Sequence, residues 1–301
     1  MIYDYYARLN APQKPNPQYN EEKGAFCLAS GFVDECIVLS SLDKKKARDK
    51  YSKFEKIQGE ETIKETTTRE NLKIPEELKL EKPDFSKIPA YWCPLEIPFT
   101  LQTPWYSKDD KPFHVLDNPL RKDKVFGVPF MSASTWKGLL RWACRMQAGL
   151  LEHLGTDPKM NNWQDSDWII HLFGNEKEEK KDFRQGTLVF YPTWFSKIGF
   201  EIINPHSRET RAGTTPILYE VVPAGTAGTL YLLYAPMNID ESKKYQKEAL
   251  NKLITAIEQL LTVYGFSAKR TAGWGIAKLN EDNEDIDKIK KQLQEYYEKN
   301  R

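Results

Sequence analysis

The chain has 301 residues, 40% of them hydrophobic and 29% charged, with a formal net charge of only +1. That is enough apolar material for one large or two small domains, and the near-neutral balance excludes recognition of an anionic partner by whole-molecule charge, so any such site is a local patch. Cys27, Cys36, Cys93 and Cys144 form no Cys-x-x-Cys pair, which argues against structural zinc and a disulfide framework; with no leader-like opening and no apolar run of about 20 residues, a cytoplasmic protein without a membrane partner is expected.

Residues 1–42 combine Pro12, Pro15 and Pro17 with an apolar stretch, Ala25–Leu42, that predicts one or two strands. Residues 43–90 are dominated by Lys and Glu and read as a solvated tether or insertion. The chain therefore divides into an N-terminal extension, 1–90, and a globular domain, 91–301. In Trp92–Thr103, Leu95, Ile97, Phe99 and Leu101 alternate on one face and predict a strand, while Pro94 and Pro98 mark an edge or a bulge. Ser132, Ser134 and Thr135 are N-cap candidates for a helix running to about Leu154. Gly186–Tyr191 predicts the next strand. Ile217–Val222 and Thr229–Tyr234, joined by the turn-rich Pro223–Gly228, predict a hairpin. Apolar residues from Leu250 to Tyr264 recur at steps of three and four, an amphipathic helix with Gly265 as its C′ residue. Ser267–Leu279 returns as a glycine-containing strand or loop, and Ile286–Tyr297 predicts a last helix. From Tyr91 onward this order predicts an α+β fold with a ferredoxin-like (RRM-like) β-α-β-β-α-β core and enlarged loops.

Charge is uneven along the chain. Between Lys111 and Gln147 seven bases stand against Asp117 and Asp123, a local surplus of five, and Lys269, Arg270 and Lys278 lie in an acid-free stretch. Lys137, Arg141 and Arg145 are spaced four apart and form one stripe on the first helix. At its start, Ser132 and Ser134 lie where unpaired N–H groups and the helix dipole favour an anion. Gly273-Trp274-Gly275, after Lys269 and Arg270, offers a close backbone approach and a ring for stacking on a base; an ordinary glycine turn with a core tryptophan is the plain alternative. Arg208 and Arg211, with His206, lie in a loop that reads either as an arm over single-stranded RNA or as plain surface. His153 and His171 read as packed or surface residues. The incomplete Gly-x-Gly argues against a dinucleotide site.

Several of these segments resemble, in the same order, subunits of the CRISPR-associated RAMP superfamily found in type III effector complexes. Phe130–Arg141 (FMSASTWKGLLR) is similar to that family's serine-lysine-glycine helix start, and His171–Glu176 (HLFGNE) to its Leu-Phe-Gly turn. Tyr219–Gly225 (YEVVPAG) is similar to its glutamate-valine-proline hairpin, and Gly265–Gly275 (GFSAKRTAGWG) to its C-terminal glycine-rich loop. The resemblance implies a ferredoxin-like RNA-binding core with a thumb-like hairpin. It implies a subunit that lines up on a guide RNA with other CRISPR-associated subunits and captures complementary target RNA. In cleaving members an Asp-x-Pro-x-x-x-Asp loop carries the cutting aspartate. Asp117-Asn118-Pro119-Leu120-Arg121-Lys122-Asp123 matches it, so Asp117 is the candidate catalytic residue, with His114 and Lys124 nearby. No stably bound cofactor and no metal ligand set are implied, a divalent metal being the one candidate requirement for cleavage. Ser132-Ala133-Ser134-Thr135 departs from the family's Pro-Gly-Ser-Ser. Gly127-Val128-Pro129-Phe130 is closer to the non-cleaving capping subunit of type III-B complexes. Endoribonuclease activity therefore stays open beside two alternatives: a scaffold or cap of the same complex, and a stand-alone guide-processing ribonuclease.

Overall fold

The computed structural model describes residues 68–69, 82–109, 116–123, 128–157, 162–175, 184–205, 209, 213, 215–279 and 284–299. The strands expected in 25–42 and most of the 43–90 tether lie outside the described residues. In chain order the elements are β1 (Thr68–Arg69), β2 (Cys93–Leu101), β3 (Phe130–Met131), α1 (Ala133–Gln147), α2 (Leu150–Thr156), α3 (Asp167–Phe173), β4 (Leu188–Phe190) and β5 (Thr193–Trp194). They continue with β6 (Ile198–Ile203), β7 (Ile217–Val221), β8 (Ala227–Tyr234), α4 (Ile239–Gln259), β9 (Ala277–Lys278) and α5 (Glu284–Lys299).

The main sheet has the order β4-β8-β2-β9, antiparallel throughout. Two of its connections matter: β2 leads through α1 to β4, and β8 through α4 to β9. The first strand thus lies beside the third, with the second and fourth at the edges, as in a ferredoxin-like unit. Period-two alternation on β2 turns Leu95, Ile97, Phe99 and Leu101 into the core, each 2% exposed or less. Trp136 and Leu140 of α1 and Leu250, Leu253, Ile254 and Ile257 of α4 cover them from the same side. Each fully buried Leu or Ile contributes about 1.5–3 kcal/mol, so this single layer of helices on a sheet carries much of the fold.

Two expectations are corrected. The first helix does not run to Leu154: it ends at Gln147, and Gly149, with φ +100°, separates it from α2. A left-handed residue cannot continue a right-handed helix. Nor do Ile217–Val222 and Thr229–Tyr234 form a hairpin. β8 is bonded on one side to β2 and on the other to β4, leaving no edge for β7. β7 pairs instead with β6, from Gly199↔Val221 to Ile203↔Ile217, and β1 adds to the far side of β6.

The prolines of β2 have a clear place. The Leu101 N–H points to the β8 side, bonding the Thr226 carbonyl at 2.9 Å, whereas that of Gln102 bonds Ile276 O on the other side at 2.8 Å. By the alternation of strand N–H groups, Pro94 and Pro98 face away from β8, on the margin that β9 covers only at Thr100 and Leu101. Neither proline removes a ladder bond. The margin is met instead by α5, whose Gln292 side chain donates to the Pro94 carbonyl at 2.8 Å.

Candidate functional site

The start of α1 has the expected cap. Ser132 is extended (φ −70°, ψ 152°) and its Oγ accepts the Thr135 N–H at 3.2 Å; Ser134 Oγ and Thr135 Oγ1 lie 2.9 and 2.8 Å from the same oxygen. No acid lies in the first turn, so the N–H groups at this end keep the positive end of the helix dipole uncompensated. Trp136 anchors the turn, stacking on Phe266 with 5.2 Å between ring centroids and donating from Nε1 to Thr193 Oγ1 at 3.0 Å. Lys137 and Gly138 are exposed. A methyl group at Gly138 would meet nothing within 4 Å, so the helix presents an open shelf there.

The lower part of the basic stripe is differently engaged. Asp165, its side chain 4% exposed, binds Arg141 at 2.6 Å and Arg145 at 2.6 Å and accepts the Trp163 indole N–H at 2.9 Å. Burial works against the carboxylate, but Arg145, Trp163 and Arg141 outweigh it and hold the Asp165 carboxyl below its usual range. The two guanidiniums are thereby locked side by side, and together with Asp165 they present one net positive charge rather than two.

The glycine-rich loop folds back on the residues that follow β2. Phe266 N–H bonds Gly275 O at 3.0 Å, Gly275 N–H bonds Pro104 O at 2.8 Å and Ala268 N–H bonds Tyr106 O at 2.9 Å; the Ser267 hydroxyl accepts the Tyr106 N–H at 3.0 Å. Gly275 (φ +85°) is required, because a Cβ would stand 2.4 Å from Ser267 N. Trp274 is half-buried, with its ring 5.5 Å from Tyr219 and 6.4 Å from Tyr106, both edge-on. Lys269 Nζ lies 5.1 Å over the Tyr219 ring and the Arg270 guanidinium 4.6 Å over that of Trp142. Since Trp142 follows Gly138 by one helical turn on the same face of α1, the cap, the shelf and the loop border one surface.

The Asp117 loop is tied to that surface through β7. Residues 107–109 pair with 119–121 (Arg121 N–H to Ser107 O, 2.7 Å; Asp109 N–H to Pro119 O, 3.2 Å). Leu116 and Leu120 are buried and Asp117 is exposed. Glu220 of β7 reaches this loop with both carboxylate oxygens, accepting from Lys122 Nζ at 2.6 Å and from the Leu120 N–H at 3.0 Å. The neighbouring Tyr219 faces the glycine-rich loop.

The structure therefore brings together Ser132, Ser134, Lys137, Lys269, Arg270, Gly273, Trp274 and Gly275, and links Asp117 to them. Arg141 and Arg145 lie farther down α1, clamped by Asp165. Arg208, Arg211, His206, His114 and Lys124 lie outside the described residues. Sequence reasoning missed Asp165, and it quoted Tyr219 and Glu220 only as part of the family-like segment Tyr219–Gly225, with no role at the site. Lys122, one of the seven bases between Lys111 and Gln147, is buried with Glu220. A lone glutamate inside an apolar strand (LYEVV) is the signal that points to Glu220; nothing near Asp165 in sequence marks its partners, 20 and 24 residues away. His171 is packed as expected, its Nε2 2.8 Å from the Tyr234 hydroxyl, and Cys93 is a core thiol that burial pushes up to about 12.

Among the described residues no group of three or more His, Cys, Asp or Glu side chains is placed to hold a metal ion. Asp117 alone does not build a metal site. No helix is long and apolar enough to cross a membrane, again among the described residues.

Residues 98–278, more than half of the chain, match the family model of the RAMP superfamily. No curated protein matches. Among solved structures, similarity extends to a chain of the type III-B Cmr-beta complex bound to cognate target RNA. That match has 14% identity and TM-score 0.40, covering 63% of this chain and 59% of that one. A chain of a type IV-B CRISPR complex matches with 14% identity and TM-score 0.40, covering 63% and 91%. A chain of the Csm3-Csm4 subcomplex of the type III-A CRISPR-Cas interference complex matches with 18% identity and TM-score 0.37, covering 63% and 76%.

Proposed function

The chain belongs to the RAMP superfamily, and from that premise we propose that it is a guide-RNA-binding subunit of a type III CRISPR ribonucleoprotein effector, one that captures complementary target RNA and cuts it at the Asp117 loop. The observation that carries this reading is the role of β7. Tyr219 holds the glycine-rich loop and Glu220, one residue on, holds the Asp117 loop. Groups suited to gripping a sugar-phosphate backbone and a carboxylate suited to cutting one therefore share a rigid frame. The guide RNA lies across the α1 cap and shelf, where Ser132, Ser134 and the dipole meet phosphate and Lys137, Lys269 and Arg270 supply charge. Trp274 and the loop glycines contact the backbone and bases at the far side, and Arg141 and Arg145 extend the basic stripe along α1. Arg208 and Arg211, which fall in the sequence between β6 and β7, add charge for the same RNA strand. Asp117 acts as a base or orienting group toward a 2′-hydroxyl.

In the assembled complex, Asp117→Ala is expected to remove one cut in the target, with a rate loss of about 10²–10⁴, while target affinity is retained. The measurement is a cleavage ladder on a labelled target beside a binding titration. An unchanged ladder would transfer the protein to the second reading, a non-cleaving cap or scaffold. That reading is favoured by the Gly127-Val128-Pro129-Phe130 segment, which is closer in sequence to the non-cleaving capping subunit. A stand-alone guide-processing nuclease would need a histidine site, and the two described histidines, His153 and His171, are both packed against aromatic rings.

A further inference from the structure

Glu220 and Lys122 are the most fully buried opposite charges described, with side chains 0% and 1% exposed and 2.6 Å between Oε1 and Nζ. Taking both ions out of water is costly, and an apolar pair of the same volume commonly packs as well or better. The other bonds of Glu220 indicate why a carboxylate stands here. Its Oε2 accepts the Leu120 N–H at 3.0 Å, and its own N–H donates to the Asn118 carbonyl at 3.2 Å. Asn118 in turn reaches the Leu218 carbonyl with its amide at 3.5 Å. All the loop atoms so held lie in residues 118–122, directly after Asp117. No other side chain described on β7 grips that loop at two points. On the opposite face of the strand, Tyr219 packs on Tyr106 and Trp274 and lies under Lys269.

We propose that Glu220 is a positioning residue: its carboxylate, through the Leu120 N–H, fixes the register of the Asp117 loop against the glycine-rich loop, and Lys122 is the buried partner of that carboxylate. The proposal rests on the reading that Asp117 acts on bound RNA, and it adds what sets the distance between grip and cut. A carboxylate carried on a strand and bonded to the loop's own backbone N–H holds the chain itself, and a displacement of about 1 Å at the reacting group is enough to lower a rate about 10²-fold.

The test compares two double variants in the assembled complex. Lys122→Met with Glu220→Gln removes both charges but keeps an amide oxygen for the Leu120 N–H. Lys122→Met with Glu220→Leu removes the charges and the acceptor together. The expected result is that both bind target RNA within about twofold of the parent complex. The glutamine pair keeps cleavage within a few-fold, and the leucine pair loses about 10²-fold in single-turnover cleavage rate. Amide exchange in the leucine pair accelerates at residues 116–121 while the protection of β2, β8 and α4 is unchanged. Equal cleavage and equal exchange at 116–121 in the two pairs would overturn the proposal. So would loss of protection throughout the protein in both, which would assign the pair to the fold as a whole. Asp117→Ala is run in parallel. If that variant cuts like the parent, the cleavage reading fails, and the exchange comparison alone decides whether Glu220 sets the loop.

Discussion

Gly138 and Gly275 differ in what a methyl group would meet, and the difference separates two roles for glycine. Gly138 lies inside α1 with open space around it, so Gly138→Ala is expected to stabilise the protein by about 1 kcal/mol, read as a higher unfolding midpoint. Guide-RNA affinity should fall in the same variant if the strand lies on this shelf; unchanged affinity would clear the shelf of RNA. Gly275 is held at φ +85° against the Ser267 backbone. Gly275→Ala is expected to cost roughly 1–3 kcal/mol or more and to loosen the glycine-rich loop. Sequence alone marked Gly275 as a backbone-approach position but could not show that the approaching partner is the chain's own Ser267. Gly138 had no local sign of being exposed.

Asp165 makes a pH-dependent prediction. Its folded-state pKa lies below the usual range because two arginines and an indole N–H favour the charged form. A depressed carboxyl pKa means that the folded state binds fewer protons, so the stabilisation is complete above the unfolded value of about 3.9 and is lost as pH falls through the folded one. Asp165→Asn should cost roughly 1–3 kcal/mol at pH 7, and the gap to the parent should narrow in urea titrations at about pH 3. A gap independent of pH would mean that shape, not charge, is what Asp165 contributes.

Among the elements, β2 and the buried faces of α1 and α4 were legible because each carries a clear period, two for the strand and about 3.6 for the helices, although α1 stops short of Leu154 and α4 begins at Ile239, before the periodic stretch from Leu250. The errors came where local pattern and long-range pairing disagree. Pro223–Gly228 has the composition of a hairpin turn, yet Val222 exchanges both backbone bonds with Trp105, at 2.8 and 2.9 Å, and the chain crosses from one sheet to the other. Whether a strand's two edges are already occupied is not written in its own residues. The end of α4 is a similar case. Its last turn, Leu260–Tyr264, widens to a π-turn closed by the Gly265 N–H on Leu260 O at 2.9 Å. That extra residue places Tyr264 on Trp142, 5.1 Å between ring centroids, and Phe266 under Trp136. The periodicity showed a helix and its glycine stop, but a one-residue bulge at a helix end leaves no separate mark in the sequence.

For the whole molecule, a formal charge of +1 predicts little long-range steering of RNA, so affinity should depend on a few close contacts. The local surplus of five counted from the sequence is smaller on the surface, since Lys122 is buried with Glu220 and Arg141 and Arg145 share Asp165. Lys137→Ala combined with Lys269→Ala is expected to flatten the dependence of log affinity on log salt by about 1.4, at about 0.7 per phosphate contact on a single strand. An unchanged slope would remove both lysines as phosphate contacts. Pairing of this kind is invisible to segment arithmetic, because Asp165 and Glu220 lie outside the windows whose charges they compensate.

The two prolines on the margin of β2 that β9 does not reach have a further consequence. An unpaired strand edge is ordinarily a template on which a second chain can build, by β-augmentation or by aggregation. Here two of the outward positions carry no N–H to donate, and one of the outward carbonyls is already engaged by Gln292. A neighbour meeting this side finds few backbone partners and must fit mainly side chains against side chains. A protein guarded in this way can be crowded beside copies or relatives of itself and keep its own boundaries.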